Sequence, residues 1–361
     1  MTVATAELNG ISANGEDVVR EAIRQVAEGA TLSRSQAAAA MDAVMSGQAT
    51  GSQIGSLMTA LRMRGETIEE IAGFAETMRR HALQVTLKHE GPVVDTCGTG
   101  GDGANTFNIS TAAAFVVAGA GVRVAKHGNR AMSSRCGSAD VLEGLGVRID
   151  LKSDAVATCI DEVGIGFMFA QVFHPAMRFA GPTRKEIGIR TVFNILGPLT
   201  NPAGAKHQVV GVANRVTAEK VALVLQMLGS THAVVVCSDD GLDELSISSG
   251  NSVFDISVNG HSEFNSYHLD VSSMGLDAAP IESVRGGTVE ENAMLIRRIL
   301  AGEPGPARSI TLLNAGAALY AADVVPSIRA GVELASESID SGKARERLGA
   351  LVDLTQQLGE A

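Results

Sequence analysis

The stretch Gly98-Thr99-Gly100-Gly101-Asp102-Gly103-Ala104-Asn105-Thr106-Phe107-Asn108-Ile109-Ser110-Thr111 gathers glycines, hydroxyls and one acid in a spacing that suits phosphate chemistry. Glycines let the backbone come close to a ligand. A short apolar run, Pro92-Val93-Val94, precedes the stretch and an alanine-rich one, Ala112 to Ala120, follows it. The pattern reads as strand, loop and helix. Asn108, Ser110 and Thr111 suit a helix cap, and a helix N-terminus attracts anions. The plainer alternative is a glycine turn ahead of an ordinary capped helix. Familiar phosphate loops do not match. A Walker A loop needs Lys and then Ser or Thr after its last glycine, and Gly98-x-Gly100-Gly101 lacks the dinucleotide spacing. Asp102 inside such a loop suggests that a cation accompanies the phosphate.

Three further groups carry candidate chemistry. Lys126-His127-Gly128-Asn129-Arg130 follows the apolar run Val122 to Ala125, where Lys126 and Arg130 suit phosphate charge. Ser133, Ser134, Gly137 and Ser138 add donors beyond it. Asp239-Asp240-Gly241-Leu242-Asp243-Glu244 follows a buried strand ending at Cys237, and adjacent carboxylates there suit Mg²⁺ shared with substrate phosphates. Arg178, Arg184, Lys185 and Arg190 lie in one irregular stretch and read, on sequence alone, as internal salt bridges. His127 and His174 are candidate general bases, but no Ser-His-Asp or Cys-His arrangement and no zinc spacing accompanies them.

These groups need a scaffold. The length of 361 residues allows one large domain or two ordinary ones, and 45% apolar content suffices for a core. Residues from about Glu16 to Leu87 read as roughly four helices, with capping boxes at Ser33-x-x-Gln36, Thr50-x-x-Gln53 and Thr67-x-x-Glu70. After Lys88 short β-branched runs alternate with helical stretches, as in an α/β domain. Strands are expected at Val93-Val94, Val122 to Ala125, Val147 to Ile149, Ile165 to Phe169, His232 to Cys237 and Val253 to Val258. Helices are expected from Ser110, over Ser138 to Leu145, Ser153 to Val163, Thr288 to Ala301 and Ser309 to Ala322, and once or twice within Gly331 to Leu358. His174 to Pro202 breaks the alternation. No apolar run is long enough to span a membrane, and Met1 to Gly15 lacks the basic start and apolar block of a signal peptide. Four scattered cysteines read as reduced cytosolic thiols. A net charge of −11, no Trp and two Tyr argue against nucleic acid.

Taken together, the chain resembles the anthranilate phosphoribosyltransferases. The resemblance rests on Gly98 to Asp102 with Asn108-x-Ser110-Thr111, on Lys126 to Arg130, on Gly137-Ser138-Ala139-Asp140-Val141-Leu142-Glu143 and on His174-Pro175-Ala176-Met177. It continues through Arg190-Thr191-Val192-Phe193-Asn194-Ile195-Leu196-Gly197-Pro198-Leu199-Thr200-Asn201-Pro202, Asp243-Glu244-Leu245-Ser246, Gly286-Gly287 with Glu291-Asn292-Ala293, and Leu313-Asn314-Ala315. It covers nearly the whole chain. It implies a small N-terminal helical domain and a large α/β domain of the nucleoside phosphorylase/phosphoribosyltransferase-like fold. The boundaries are 1–88, joined by helices from about 174–202, and 89–361. It implies transfer of the phosphoribosyl group of phosphoribosyl diphosphate (PRPP) to the amine of anthranilate, a step of tryptophan biosynthesis, in a cytoplasmic homodimer paired through the helical domain.

Carried over by residue, Gly98, Gly101, Asp102, Thr106, Asn108, Ser110 and Thr111 line the PRPP site. Lys126, His127, Gly128, Asn129, Arg130, Ala131, Met132, Ser133, Ser134 and Ser138 complete it. Ser110, Asp243 and Glu244 hold Mg²⁺. Gly98, Asn129 and Arg184 contact anthranilate, with Arg184 facing its carboxylate. The aromatic amine is uncharged at neutral pH and needs no strong base, so the resemblance implies catalysis by positioning and leaving-group stabilisation without a covalent intermediate. A pyrimidine nucleoside phosphorylase of the same fold is the nearest competitor, against which Asp243-Glu244 and the Arg184 segment argue. A diverged, nucleic-acid-binding member is the other, against which the charge argues.

Overall fold

The computed structural model describes residues 15–131, 135–258 and 262–360. Four helices come first: α1 (Gly15–Ala27), α2 (Arg34–Met45), α3 (Gly51–Arg64) and α4 (Ile68–His81). The last three begin at capping boxes on Ser33, Thr50 and Thr67, each closed by the Gln or Glu three residues on. Such a cap contributes about 1 kcal/mol. Their apolar faces meet around Met41, Leu57, Leu61 and Phe74.

The α/β part follows in the order β1 (Val93–Gly98), α5 (Ile109–Gly119), β2 (Arg123–Gly128), α6 (Ser138–Gly144), α7 (Ser153–Thr158), β3 (Ile165–Phe169), α8 (Ala170–Phe173), α9 (Met177–Ile187) and α10 (Phe193–Leu196). It continues with β4 (His207–Gly211), α11 (Arg215–Met227), β5 (His232–Ser238), β6 (Asn251–Val258) and β7 (Ser262–Leu269). It ends with α12 (Val289–Leu300), α13 (Pro306–Ala321), α14 (Ile328–Asp340) and α15 (Lys343–Glu360).

The strands form one seven-stranded sheet in the order β3-β2-β1-β4-β5-β6-β7. β1 to β5 are parallel, and β6 runs antiparallel to both its neighbours. From β1 the chain builds outward to β3 and then returns to the other side of β1 as β4. That reversal is a topological switch point, where ligands bind outside the carboxyl ends of the strands.

Both faces of the sheet are covered. On one face α5, buried on all sides by its alanines, packs among α13, α14 and α15. On the other, α9, α10, α11 and the four N-terminal helices share one continuous core with Val210, Val235 and Phe254 of the sheet. α9 returns from the middle of the chain to α2 and α3, and Phe179 lies so close to Gly47 that a Cβ there would stand 2.6 Å from its ring.

Some expectations need correction. Val147 to Ile149 forms no strand. Val147 and Ile149 are buried without joining the sheet, with the Val147 N–H on Leu142 O (2.9 Å) and the Arg148 N–H on Thr355 Oγ1 (3.1 Å). The single helix expected over Ser153 to Val163 is α7 followed by a π-helical turn at Cys159–Val163. The sequence reading did not anticipate β4, α11 or β7.

Candidate active site

β1 and β2 pair only at Val93↔Arg123 and Val94↔Val124, then part. Each keeps its outer partner, β2 through Gly128↔Phe169 and β1 through Gly98↔Gly211. Side chains bridge the gap between them. Asp95 Oδ1 accepts the His127 N–H (3.2 Å), and Lys126 Nζ donates to Thr96 O (2.5 Å) and towards Ser110 Oγ (3.3 Å). Asn201 Nδ2 donates to Asp95 Oδ2 and to Ala125 O, both at 2.8 Å, and ties the return passage to the same split. Above it opens a cleft of about 530 Å³. Its walls are the glycine loop after β1, the start of α5, the loop after β2, Arg190, Asn194, Asp243 and Glu244.

The acids reach the cleft because two facing strand ends are glycine. A Cβ on Gly98 would stand 2.4 Å from Asp243 Oδ2, and one on Gly211 would stand 1.7 Å from Asp243 O. The Asp243-Glu244 segment thus crosses directly over β1 and β4. Gly100 donates its N–H to Asp243 Oδ2 at 2.5 Å. Burial pushes the Asp243 carboxyl well up, and the neighbouring Asp102 and Glu244 push it further. Burial also raises Glu244, to about 7, although the Lys126 charge, the Ser110 N–H and the Ser110 hydroxyl act in the opposite sense. Beneath them, burial drives both Asp95 and Lys126 towards their neutral forms, and each one's charge opposes that shift in the other.

Asn108 stands at the N-cap of α5 without capping it. Its Nδ2 donates to Cys136 O (3.0 Å), and its Oδ1 accepts from Asn292 Nδ2 (3.1 Å). Asn292 also accepts the Gly287 N–H at 2.8 Å. The expected cap is therefore an amide chain linking α5, the loop after β2 and α12. Thr106 and Phe107 are held by a bridge to Arg285 and by the Phe107 N–H on Val284 O (3.1 Å). Thr111 lies at the cleft with its hydroxyl buried and unpartnered among the described residues.

The loop after β2 is closed by Asp140, which accepts the N–H groups of Ala131 (2.9 Å) and Gly137 (2.8 Å). Asp140 and Glu143 together hold Arg130, whose guanidinium lies 5.4 Å from the Phe169 ring centre. Arg130 lines the cleft with its charge already matched by these two acids. Gly128, Asn129 and Ser138 line the same wall, with Ser138 Oγ on Asn129 O at 3.2 Å. Met132, Ser133 and Ser134 lie outside the described residues.

Burial holds the two candidate general bases in the neutral form. His127 and His174 are buried with rings 5.0 Å apart, and burial pushes them down to about 3 and about 4. The arginines of the irregular stretch form no salt bridges among the described residues. Arg178 lies over Phe179 and Arg184 over Phe193, 4.9 Å from its ring centre in the second case. Arg184 is half-buried, which lowers its pKa, and it is not among the residues lining this cleft. Asp239 and Asp240 are not either. Asp240 takes hydroxyls from Ser238 (2.6 Å) and Ser246 (2.7 Å), and Asp239 lies 3.6 Å from His268. Arg190, read from the sequence as an internal salt-bridge partner, and Asn194, present there only within a motif, do line it.

Residues 20–82 match the helical bundle domain of a glycosyl transferase family, and residues 90–345 match its a/b domain. The anthranilate phosphoribosyltransferase of Thermomicrobium roseum is 55% identical over 344 residues, 95% of this chain and 99% of that one. That of Chloroflexus aggregans is 56% identical over the same shares of the two chains. Among solved structures, the Thermus thermophilus enzyme superposes with a TM-score of 0.87 at 44% identity, covering 93% of this chain and 99% of that one. The Saccharomyces cerevisiae enzyme in complex with PRPP and Mg gives 0.86 at 28% identity, covering 95% and 99%. A glycine-loop cleft at the switch point thus lies in a chain with more than half of its residues identical to these relatives, and the chain belongs to the anthranilate phosphoribosyltransferase family.

Proposed function

We propose that this cleft is where the enzyme moves the phosphoribosyl group of PRPP to the amine of anthranilate, giving N-(5-phosphoribosyl)anthranilate and diphosphate. The observation that carries the reading is the buried pair Asp243 and Glu244 beside Ser110, both acids pushed up in pKa at the mouth of a glycine loop. This donor set is all oxygen, which suits a hard cation. No cluster of three acidic, His or Cys ligands occurs among the described residues. A Mg²⁺ ion held by one or two carboxylates would suit this set, with water and substrate phosphates supplying further oxygens. Asp243, Glu244 and Ser110 would hold it. Bound Mg²⁺ supplies neutralisation of the charge that gathers on departing diphosphate.

The chain's own part is positioning. Glycine-loop N–H groups, Thr106, Ser110, Thr111 and the wall from Lys126 to Ser138 orient the donor, and Asn108 fixes the start of α5 for them. His127 and His174 are buried and held neutral, which makes them weak proton acceptors, and the uncharged aromatic amine attacks without a base. Arg184, which has no acidic partner among the described residues, faces the anthranilate carboxylate, with Gly98 and Asn129 completing that subsite. The same reading includes a helical domain of residues 1–88 joined by about 174–202, an α/β domain of 89–361, a cytoplasmic location and a homodimer through the helical domain, where Met63 of α3 is 84% exposed.

Loss of anthranilate fluorescence tests the activity. Loss that requires protein, PRPP and Mg²⁺ together is the expected result. A folded protein that leaves the fluorescence unchanged contradicts the reading, and phosphorolysis of a pyrimidine nucleoside would replace it.

A further inference from the structure

Three cations line the cleft among the described residues, and they are not equivalent. Lys126 is buried and engaged with Thr96 O and Ser110 Oγ. Arg130 is matched by Asp140 and Glu143. Arg190 is exposed and has neither a carboxylate nor any hydrogen-bond acceptor among the described residues. Its backbone is held from both sides. Gly188 ends α9 in the left-handed region at φ 63°, and the Thr191 N–H donates to Asn194 Oδ1 at 3.0 Å.

The guanidinium lies on the glycine loop itself. A Cβ on Gly101 would stand 1.5 Å from Arg190 Nη1 and 2.7 Å from its Cζ. Only glycine leaves room for this contact. Gly100, Gly101 and Gly103 take φ of 68°, 74° and 76°, and successive N–H groups in such turns form a concave anion seat. The Gly100 N–H is spent on Asp243, and the Ala104 N–H on Asp102 Oδ1 at 3.1 Å. Those of Gly101, Asp102 and Gly103 meet no acceptor among the described residues. An unpaired guanidinium and free loop N–H groups thus converge beside the acids proposed to hold Mg²⁺.

We propose that Arg190 binds the diphosphate group of the donor substrate and stabilises it as it leaves. The inference rests on the proposed reading of the cleft. A planar guanidinium suits phosphate oxygens, and a matched phosphate pair is stronger than one made by an ammonium. The charge is supplied from the passage between α9 and α10, which packs against the N-terminal helices. It therefore couples the helical part of the molecule to the glycine loop.

The test compares wild-type, Arg190→Ala and Arg190→Lys proteins by calorimetric titration with inorganic diphosphate in Mg²⁺ and by steady-state kinetics. Arg190→Ala is expected to weaken diphosphate binding and to lower kcat/KM for PRPP, each by about tenfold or more. The anthranilate KM should stay within about twofold, and Arg190→Lys should recover part of the loss. Unchanged diphosphate affinity, or a KM rise confined to anthranilate, overturns the proposal. Thermal melting verifies that each variant is folded. If wild type itself binds no Mg²⁺-diphosphate, the reading of the cleft fails and this inference with it. If wild type binds and Arg190→Ala binds equally, only the inference fails.

Discussion

Beyond the carboxyl end of β5, Asp243 and Glu244 crowd each other and Asp102, and burial leaves both with raised pKa values. At the opposite end of the same strand, His232 is held between two acids, with Asp323 Oδ1 at 2.6 Å and Asp255 Oδ1 at 3.1 Å. Tyr320 donates to the second oxygen of Asp255 at 2.7 Å and sets its ring edge-on to the imidazole, 4.7 Å away. Burial pulls His232 down, but the two carboxylates more than offset it, and the net shift is upward. One end satisfies its charges and holds the fold. The other crowds acids together and leaves an arginine and a threonine hydroxyl without partners among the described residues, which costs stability and readies the cleft for charged ligands.

Breaking the cleft end should have the largest effect on rate and none of the usual cost in stability. Asp243→Asn combined with Glu244→Gln is expected to lower Mg²⁺-dependent turnover by about 10³-fold, the scale for losing transition-state charge stabilisation. A carboxyl whose folded pKa lies above its unfolded value destabilises the fold once ionised, so this variant should melt higher than wild type at pH 8. Arg184→Ala should raise the anthranilate KM by roughly 10- to 100-fold, the scale of a lost charge-assisted bond. A smaller change for PRPP is expected, and equal losses would remove Arg184 from the acceptor subsite.

A milder probe is pH. A metal needs ionised carboxylates, and Glu244 titrates near 7. Diphosphate also ionises over this range, so the reading is the difference between proteins: calorimetric affinity for Mg²⁺ with diphosphate should rise from pH 6 to pH 8 by roughly tenfold more in wild type than in Glu244→Gln. An equal rise in both would place the ion elsewhere. The smallest effect on rate belongs to the opposite end. His232→Gln should leave kcat within about twofold while costing about 1–3 kcal/mol in denaturant unfolding, because two acids lose their partner. The pKa of His232 is raised above its ordinary 6.5. Its contribution is therefore complete below about pH 6.5 and fades as pH rises through the folded value. The deficit of the variant should be larger at pH 5.5 than at pH 9.

What the sequence revealed of this arrangement was local. The boxes at Ser33, Thr50 and Thr67 mark helix starts because both partners lie within one turn. The glycine loop, Lys126 to Arg130 and Asp243-Glu244 were legible as loops at strand ends. β7 went unseen because an edge strand such as Ser262–Leu269 has no apolar alternation to show. Val147 to Ile149 is apolar because α15 covers it, which mimics a strand. Asn108 reads as a cap until Asn292 arrives from 184 residues away. Arg190 was hidden for the same reason: nothing beside it in the chain distinguishes it from Arg184, and only the fold lays it on Gly101.

Thermal melting of wild type and the Asp243→Asn, Glu244→Gln protein with PRPP and Mg²⁺ tests the central contrast most directly. A ligand at about 100 times its Kd adds about 2.7 kcal/mol to the stability of the form that binds it. The account predicts a rise of a few degrees for wild type when PRPP and Mg²⁺ are both present, and none for the variant. An equal rise for both proteins would show that the buried acids do not seat the donor, and would contradict the account.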